Sequence, residues 1–494
     1  MHKFLSILAA SAVLVLAVCS SAAPGVREVG PPVFAVGATE NQPLGHDDGG
    51  SALFAEMSSY RLGVVRMSVG YEPAEPTTIQ QQAQVERAVR AATERGFRVL
   101  LGISPAHNGD VTGDPQGARK FAAYTALVAR AFPEVHDFIV GNEPNLGRFW
   151  FPTFKRNGTI AAAATYEKAL AASYDALKAV DAHIDVIGLA VSSRGDDRPG
   201  SKRNTISPVR FIAAVGEAYR ASRRTKPIMD TVGLHPYPFA NLDPPQKGAA
   251  WPNVSVPNLD RAQQAFWDGF HGTAQPTFAE SGRGEERPGA PPVRWILDEA
   301  GWQTGTRSVP GYVGHENTPT IDEATQARYY RSVVQRYACD PRVAALLFFH
   351  WIDESDRARF QTGLVRADKT IKPAAEAVKD AISAGCPGAH TRWRHTTRVN
   401  GAAVSWKPKS GFLFHAKALE DATFTATATP TRKLMTRARK LEPVTVRGKL
   451  KAYLAHGVRF KGIKAATAPD YAYSVRIAAA LNPDRRLTLR RDSV

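Results

Sequence analysis

The chain has 494 residues, of which 44% are hydrophobic, so it can bury a large core, and its length suggests two or three domains unless a long barrel is present. After residue 23 no segment approaches the ~20 apolar residues that a membrane-spanning helix needs, which excludes an internal transmembrane segment. The net charge of +17 is concentrated at one end. Residues 387–494 contain 22 Lys and Arg against 6 Asp and Glu, whereas the remainder contains 41 against 40. This asymmetry predicts two regions with different electrostatics, and therefore two domains.

Residues 1–23 have the pattern of a signal peptide. Lys3 gives a positive start, residues 4–18 are apolar, and residues 20–23 are small. This pattern predicts a secreted, extracellular protein, with cell-surface association as an option. The alternatives are an uncleaved N-terminal anchor and, because of Cys19, a lipoprotein.

Eight apolar runs follow, and each run is short and bounded by turn residues, as expected for strands that are buried on both faces. They occupy residues 33–36, 63–69, 97–103, 135–140, 185–191, 231–234, 293–297 and 344–349. Amphipathic helices are predicted between and after them, at 49–60, 78–95, 117–132, 165–182, 207–222, 258–270, 322–338 and 372–382. Eight alternating units predict a closed (β/α)8 TIM barrel. An open doubly wound sheet is the alternative, but no Gly-rich phosphate loop follows the first strand.

Residues suited to chemistry stand at the predicted strand ends, which meet at the mouth of such a barrel. These residues are Arg66, His107, Asn142, Glu143, His235, Tyr237, Glu299, His350 and Trp351, with Trp150 and Trp302 shortly after strands four and seven. Two carboxylates across a cleft lined by aromatic rings suit cleavage of a glycosidic bond. One carboxyl group protonates the leaving oxygen, and the other attacks or stabilises the anomeric carbon.

The Asn142-Glu143-Pro144 motif after strand four and Glu299 at the end of strand seven resemble the motifs of clan A glycoside hydrolases, retaining barrel enzymes that include families 5 and 39. The resemblance covers residues from about 33 to 386. It implies that Glu143 is the acid/base and Glu299 the nucleophile. It also implies that Asn142 binds the sugar 2-hydroxyl and that Arg66 and Tyr237 hydrogen-bond the nucleophile.

The remaining candidates have structural alternatives. His235 and Trp351 also match the clan pattern, and Trp150 and Trp302 are interpreted as sugar platforms, with packing as the alternative. His107 is a candidate for sugar binding or for structural hydrogen bonding, and so is His350. The alternative for Glu143 is a surface residue that caps the next helix, and the alternative for Glu299 is that Asp298 is the working group. Because neighbouring strand residues point to opposite sides, Asp298 is expected to pair outside the cleft. Asp353 and Glu354 are expected to be rim charges.

No metal ion or cofactor is predicted, because the histidines lack ligand-like spacing and a retaining mechanism needs no metal. Cys339 ends the seventh predicted helix and Cys386 follows the eighth. Consecutive helices of a barrel are neighbours, so these two cysteines are expected to form a disulfide in an oxidising compartment. Two inert thiols are the alternative.

The last region, residues 391–494, is predicted to be a small basic β-rich accessory domain following a catalytic domain at 24–390. Short alternating segments at 403–406, 412–415, 422–428 and 471–477 predict strands, and the stretch 434–440 is strongly basic. The positive charge indicates either a solvated face of a packing module or attachment to an anionic cell-wall polymer. Nucleic acid is not expected as a partner of an exported protein.

These observations predict a secreted, monomeric, cellulase-like retaining glycosidase that acts on a β-linked polysaccharide or oligosaccharide. Two alternatives remain. One is a non-catalytic envelope- or carbohydrate-binding protein on a hydrolase scaffold, and the other is a transglycosylase that uses the same two carboxylates.

Overall fold

A computed structural model describes residues 34–282, 291–307, 309–406, 414–431, 441–451, 454–461, 463, 468, 470–480 and 482–491. The predicted signal peptide and the basic stretch 434–440 lie outside these residues. Among the described residues, no helix combines the length and the apolar character needed to cross a bilayer.

Eight parallel strands close into a barrel in chain order, with the last strand paired to the first. The strands are β1 (Ala35–Thr39), β2 (Val64–Tyr71), β3 (Arg98–Pro105), β4 (Asp137–Val140), β5 (Asp185–Ser192), β6 (Thr231–His235), β7 (Trp295–Ala300) and β8 (Val343–Phe349). The predicted (β/α)8 barrel is therefore confirmed, and each strand overlaps the apolar run that predicted it.

One helix follows each strand. The helices are α1 (Ser51–Ser59), α2 (Gln82–Glu94), α3 (Gly117–Ala131), α4 (Ala162–Val180), α5 (Pro208–Ser222), α6 (Leu259–Phe270), α7 (Glu323–Ala338) and α8 (Pro373–Ala384). Each presents an apolar stripe to the sheet, as α2 does with Val85, Ala88, Val89 and Ala92, all of which are buried. Local signals set some boundaries: the Asp322 side chain accepts a hydrogen bond from the Thr325 N–H and caps α7.

The barrel contains two apolar layers. The larger layer lies between the sheet and the ring of helices. A smaller cluster, which includes Val64, Leu100, Ile139, Ile296 and Leu347, fills the barrel interior. Strand residues of the same parity as this inner cluster point toward the barrel axis, so Arg66 of β2 and Phe349 of β8 face the mouth above it.

The C-terminal region contains two antiparallel sheets. One has three strands, β9 (Ala403–Ser405), β10 (Phe414–Lys417) and β13 (His456–Val458); the other has four, in the order β12 (Val444–Leu450), β11 (Ala422–Pro430), β14 (Tyr471–Ala479) and β15 (Arg486–Arg491). They share an apolar core of their own. The predicted β-rich region is confirmed, although β12, β13 and β15 were not among the predicted strands. The boundary at residue 390 stays a prediction.

A disulfide, an ion pair and a ring contact link segments that are far apart in the sequence. Cys339 and Cys386 form the predicted disulfide, with Cα atoms 4.7 Å apart. Arg485 immediately precedes β15, and its guanidinium forms a buried ion pair with Asp268 of α6. In addition, the His395 ring stacks on Trp267 of α6 at a centroid distance of 4.2 Å. The β-rich region is therefore held against α6 by both charge and ring contacts.

Candidate active site

Glu143 and Glu299 face each other at the barrel mouth. Glu143 follows β4, where its N–H donates to the Ala190 carbonyl of the neighbouring β5 at 2.9 Å. Glu299 is the fifth residue of β7. One oxygen of each carboxylate lies within 4.8 Å of the other, and both oxygens lie within that distance of a ring nitrogen of His235. The structure therefore brings together the two carboxylates that the sequence predicted.

Glu299 is held by two hydrogen bonds, one from Arg66 of β2 and one from Tyr237, which follows β6. Arg66 Nη1 donates to its Oε1 at 2.8 Å, and the Tyr237 hydroxyl donates to its Oε2 at 3.1 Å. These are the two contacts that the clan resemblance implied. Burial raises the pKa of Tyr237 well above its ordinary value, and the adjacent Glu299 charge adds to that effect, so the phenol stays a donor. The orientation of the Glu299 carboxylate is thus fixed from two sides.

Arg66 also positions Asn142. Its Nη2 donates to Asn142 Oδ1 at 2.6 Å, which turns the amide nitrogen of Asn142 away from the guanidinium. The guanidinium is almost completely buried between carboxylates. Because Gly102 of β3 lacks a side chain, Arg66 can lie against it: a Cβ atom at Gly102 would stand 3.1 Å from Arg66 Nε. Arg66 of β2 therefore positions both Glu299 of β7 and Asn142, which follows β4.

Asp298 lies inside the barrel, so the prediction that it pairs outside the cleft is wrong. It is fully buried, and its Oδ2 accepts from Arg66 Nη1 at 2.8 Å. Asp298 has the same parity as Ile296, which faces the barrel interior, so alternation itself directs Asp298 inward, and the register shift of β7 against β8 between Leu297 and Ala300 allows Glu299 to face the mouth as well. As a result Asp298 and Glu299 both reach Arg66. Asp298 lies below the mouth, and Glu299 is the more exposed of the two.

His235 bridges the acidic groups. Its Nδ1 lies 3.0 Å from Glu143 Oε1, and its Nε2 lies 3.2 Å from Asp298 Oδ2. Burial alone would favour the neutral ring, but Glu299, Asp298 and the hydrogen bonds to Asp298 and Glu143 raise the pKa of His235 to about 10. An imidazolium donates from both nitrogens, so we interpret His235 as a charged bridge and not as a metal ligand.

Arg148 is a site residue that the sequence analysis missed. Its Nη2 donates to Glu143 Oε2 at 3.0 Å, on the side opposite to His235. Burial alone would raise the pKa of Glu143, yet the contacts with His235 and Arg148 outweigh burial and lower it. The sequence signal for Arg148 was its position five residues after Glu143, in the loop that begins at the Asn142-Glu143-Pro144 motif.

The three tryptophans are not sugar platforms, which corrects the predictions for Trp150, Trp302 and Trp351. Each has at most 1% of its surface exposed, so no ring face remains for a ligand. Their indole N–H groups donate instead to Thr165 Oγ1, to the Asp243 carbonyl and to Glu56 Oε2, respectively. Aromatic residues shortly after a strand can turn back into the helix layer, and here all three do so.

A different aromatic group lines the mouth. Phe349, the last residue of β8, is partly exposed and lies 4.9 Å from the Phe360 ring, edge to face. Phe360 is in turn 6.5 Å from the Tyr237 ring. Phe349 shares the inward parity of Leu347, a signal that was present in the sequence. These three rings provide the apolar surface beside Glu299.

The remaining candidates lie away from the two carboxylates. His107 is on the rim with 76% of its side chain exposed, and its backbone N–H donates to Asp110 at 2.7 Å. Its role in sugar binding stays a prediction. His350 is nearly buried, with contacts to the Thr39 carbonyl and Glu354. Asp353 is not a rim charge, because it forms a fully buried ion pair with Lys372.

A second group of potential ligand atoms lies on the rim. One atom each from Glu72, His107 and Asp110 falls within 4.8 Å of the other two, and all three residues are at least partly exposed. Exposed acidic groups often cluster in this way without a metal ion.

Comparisons with known proteins agree on the fold alone. No family model matches the chain, and no curated protein matches it by sequence. Among solved structures, it is similar to a family 39 glycoside hydrolase from Bacteroides cellulosilyticus WH2, with 14% identity, a TM-score of 0.50, and coverage of 87% of this chain and 81% of that one. The chain has the barrel fold of that clan A glycoside hydrolase.

Two further structures resemble it more loosely. A GH5_18 protein from Streptomyces cattleya in complex with GlcNAc has 16% identity and a TM-score of 0.48, over 75% of this chain and 84% of that one. A monomeric β-xylosidase from Caulobacter crescentus CB15 has 15% identity and a TM-score of 0.43, over 88% and 96%.

Proposed function

We propose that the chain is a secreted retaining glycoside hydrolase that cleaves a β-linked polysaccharide or oligosaccharide. The observation that carries this proposal is the pair Glu143 and Glu299 at the C-terminal mouth of the barrel, with carboxylate oxygens within 4.8 Å of each other. Carboxyl groups about 5–5.5 Å apart suit retention, whereas inversion needs about 6.5–9.5 Å to admit a water molecule. The clan resemblance supports the β-linkage.

In this mechanism Glu299 attacks the anomeric carbon and forms a covalent glycosyl-enzyme, while Glu143 gives a proton to the leaving oxygen. Glu143 then removes a proton from water, which releases the sugar with its original configuration. Arg66 and Tyr237 hold the nucleophile, and Asn142 presents its amide to the sugar. His235 links both carboxylates, so a change of charge on one of them is felt by the other.

The first test is a screen of aryl β-glycosides and dye-labelled polysaccharides. We expect hydrolysis of at least one substrate, with the β-anomer as the first product detected by NMR. An initial α-anomer would refute retention, and products with new glycosidic bonds would identify a transglycosylase. Absence of turnover together with saturable binding of an oligosaccharide would favour a binding protein.

We also propose that the basic C-terminal region binds an anionic cell-wall polymer. On the four-stranded sheet, Arg447 of β12 and Arg476 of β14 both pair with Thr425 of β11, and Arg476 pairs with Thr488 of β15, so these four residues share one face. The neighbouring registers add Lys449, Arg486 and Arg490 to that face, and all five cations are exposed. Positive residues concentrated on one face support adhesion over a merely solvated surface.

This second proposal is tested by sedimentation of the full chain with a polyanionic cell-wall polymer at rising salt. Because the Debye length shrinks from about 10 Å at 0.1 M to about 3 Å at 1 M salt, we expect release over that range. Charge reversal at Arg447 and Arg476 should weaken retention, while reversal at Arg90 on α2 should not. Retention that is independent of salt would refute the proposal.

A further inference from the structure

A second loop lies against the loop that carries Glu143. The Gly147 N–H donates to the Asn204 carbonyl at 3.1 Å, and Leu146 forms a β-bridge with Thr205. The segment after β5, residues 194–207, is thereby fixed beside the loop after β4. This contact places Arg203, the neighbour of Asn204, next to Arg148, the neighbour of Gly147.

The outward side chains of these two loops are cationic. Arg148, Arg194, Lys202 and Arg203 are all exposed. The end of the Arg194 side chain is partly enclosed, with Nη1 donating to the Phe239 carbonyl. This burial, followed by the charges of Arg203 and Arg148, lowers the pKa of Arg194, and the charge of Glu143 opposes the shift. Like charges are therefore held near one another beside the acid/base, at an energetic cost that a bound anion would remove.

The acidic residues of the same segment face inward and do not neutralise this group. Asp196 accepts hydrogen bonds from the Ser201 hydroxyl at 2.7 Å and from the Thr205 hydroxyl at 3.2 Å. Asp197 accepts from the Ser207 N–H at 2.9 Å and lies 3.4 Å from Arg210. Within the described residues, the Lys202 and Arg203 side chains form no hydrogen bond or ion pair.

The orientation of Glu143 shows on which side of the scissile bond this cationic group lies. Its Oε1 faces His235, which also contacts Glu299, whereas its Oε2 faces Arg148. Arg148 is therefore on the side of Glu143 away from the nucleophile. In a retaining site the sugar that is attacked lies over the nucleophile, and the leaving group lies beside the acid.

We propose that Arg148, with Arg194 and Arg203, forms a subsite for an anionic group on the leaving sugar, either a carboxylate or a sulfate ester. This inference rests on the proposed glycosidase function and specifies its substrate class. Arginine suits this role because its planar fork binds carboxylate and sulfate oxygens through paired hydrogen bonds. The β5 loop supplies the additional charge, and Arg148 supplies the link to the reaction.

Arg148 links anion binding to the reaction because it exchanges one partner, the Glu143 carboxylate, for another, the bound anion. Without ligand, Arg148 is paired with Glu143. The other titratable or charged groups that act on Glu143 are His235, Arg66, Arg194, Glu299 and Tyr237. When an anion on the leaving sugar takes the guanidinium, Glu143 loses one cationic neighbour and gains an anionic one. Both changes favour the protonated acid that the first step needs.

Binding tests the subsite without requiring turnover. The full chain is titrated with methyl β-glucuronide, methyl β-glucoside 6-sulfate and neutral methyl β-glucoside by calorimetry or NMR. We expect at least one anionic glycoside to bind about tenfold or more tightly than the neutral one, which corresponds to about 1.4 kcal/mol. The two anionic probes distinguish a carboxylate from a sulfate ester.

Substitutions of Arg148 and Arg203 test whether the cationic group causes the preference for anionic glycosides. Arg148→Gln and Arg203→Gln should each reduce it, and the double variant should abolish it, whereas Arg90→Gln on α2 should leave it intact. Equal affinity for neutral and anionic glycosides would overturn the proposal, and so would a preference that survives the double variant. Because these readouts are equilibrium affinities, they are independent of whether any substrate is hydrolysed.

Kinetics supply the second test once a substrate is known. The alkaline limb of kcat reports the acid in the bound complex. For a leaving sugar that carries an anion, we expect this limb at higher pH than for its neutral counterpart, and we expect the difference to vanish in Arg148→Gln. Hydrolysis with identical limbs for both substrates would refute the exchange while leaving the glycosidase proposal intact.

Discussion

Both ends of the barrel contain a charged network, which is fully buried around Asp298 at the mouth and partly exposed around Arg98 at the base. At the mouth, Arg66, His235 and Asp298 surround Glu299. At the base, Arg98 pairs with Asp137 through Nε at 3.0 Å and contacts Asp185 at 3.3 Å. The network at the base joins the first residues of the adjacent strands β3, β4 and β5, whereas the network at the mouth joins residues of β2, β6 and β7.

Shifted pKa values occur at both ends and do not by themselves identify the active site. Burial, followed by repulsion from Asp137, raises the pKa of Asp185 to about 7, a change of the kind expected for a catalytic acid. However, Asp185 contacts only Arg98 and the Thr231 hydroxyl among the described residues. The distinguishing feature of the mouth is its pair of facing carboxylates: oxygens of Glu143 and Glu299 lie within 4.8 Å of each other.

The largest expected effect is at the nucleophile. Glu299→Ala should reduce kcat/KM by more than about 10⁴-fold, because no other carboxylate can form the covalent bond. Arg66 keeps its partner Asp298, so the midpoint of thermal unfolding should change little. Azide should restore turnover and produce the α-glycosyl azide. Activity that persists in this variant would assign the role to Asp298.

The next effect is at the acid/base and depends on the leaving group. Glu143→Ala should slow natural substrates by about 10²–10⁴-fold, the usual contribution of general acid catalysis. Dinitrophenyl glycosides, which need no protonation, should react almost normally in their first step. Rates are measured for a series of aryl glycosides. Equal loss for every leaving group would contradict the assignment.

At the base of the barrel, substitutions should lower the free energy of unfolding and leave kcat/KM unchanged. Replacing Cys339 and Cys386 together by Ser opens a link between residues 47 positions apart. On the chain-entropy model this lowers the free energy of unfolding by roughly 3–4 kcal/mol. Urea denaturation measures the loss, while kcat/KM on the folded variant should be unchanged. A fall in kcat/KM would show that the two ends are coupled.

The last expected effect concerns the pH dependence of stability. Because the pKa of Asp185 is raised in the folded protein, folding favours its protonated form, and stability should fall as the pH rises from about 4 to 7. This group contributes a slope of at most about 1.4 kcal/mol per pH unit. Asp185→Asn should flatten the slope in urea denaturation at several pH values. A slope that remains unchanged would mean that Asp185 stays ionised.

The barrel was predictable because its strands are near-continuous apolar runs, and the juxtaposition of Glu143 and Glu299 was predictable because strand ends converge. Other features depended on tertiary structure. The shift in β7 that brings Glu299 to the mouth beside Asp298 has no mark in the local pattern, and the burial of Trp302 depends on the Asp243 carbonyl, 59 positions away in sequence. Strands such as β15 alternate with arginines, so their apolar signal is weak. Arg148 became recognisable only through its contact with Glu143.

The central claim, that Glu299 forms a covalent bond with the sugar, can be tested by trapping. The full chain is incubated with 2-deoxy-2-fluoro aryl β-glycosides that carry the sugar found in the substrate screen. These compounds form the glycosyl-enzyme but release it slowly, so peptide mass spectrometry locates the label. We predict one added sugar per chain, on the peptide that contains Glu299, and no label in Glu299→Ala. A label on Asp298 or Glu143, or inactivation without any covalent mass, would contradict the account.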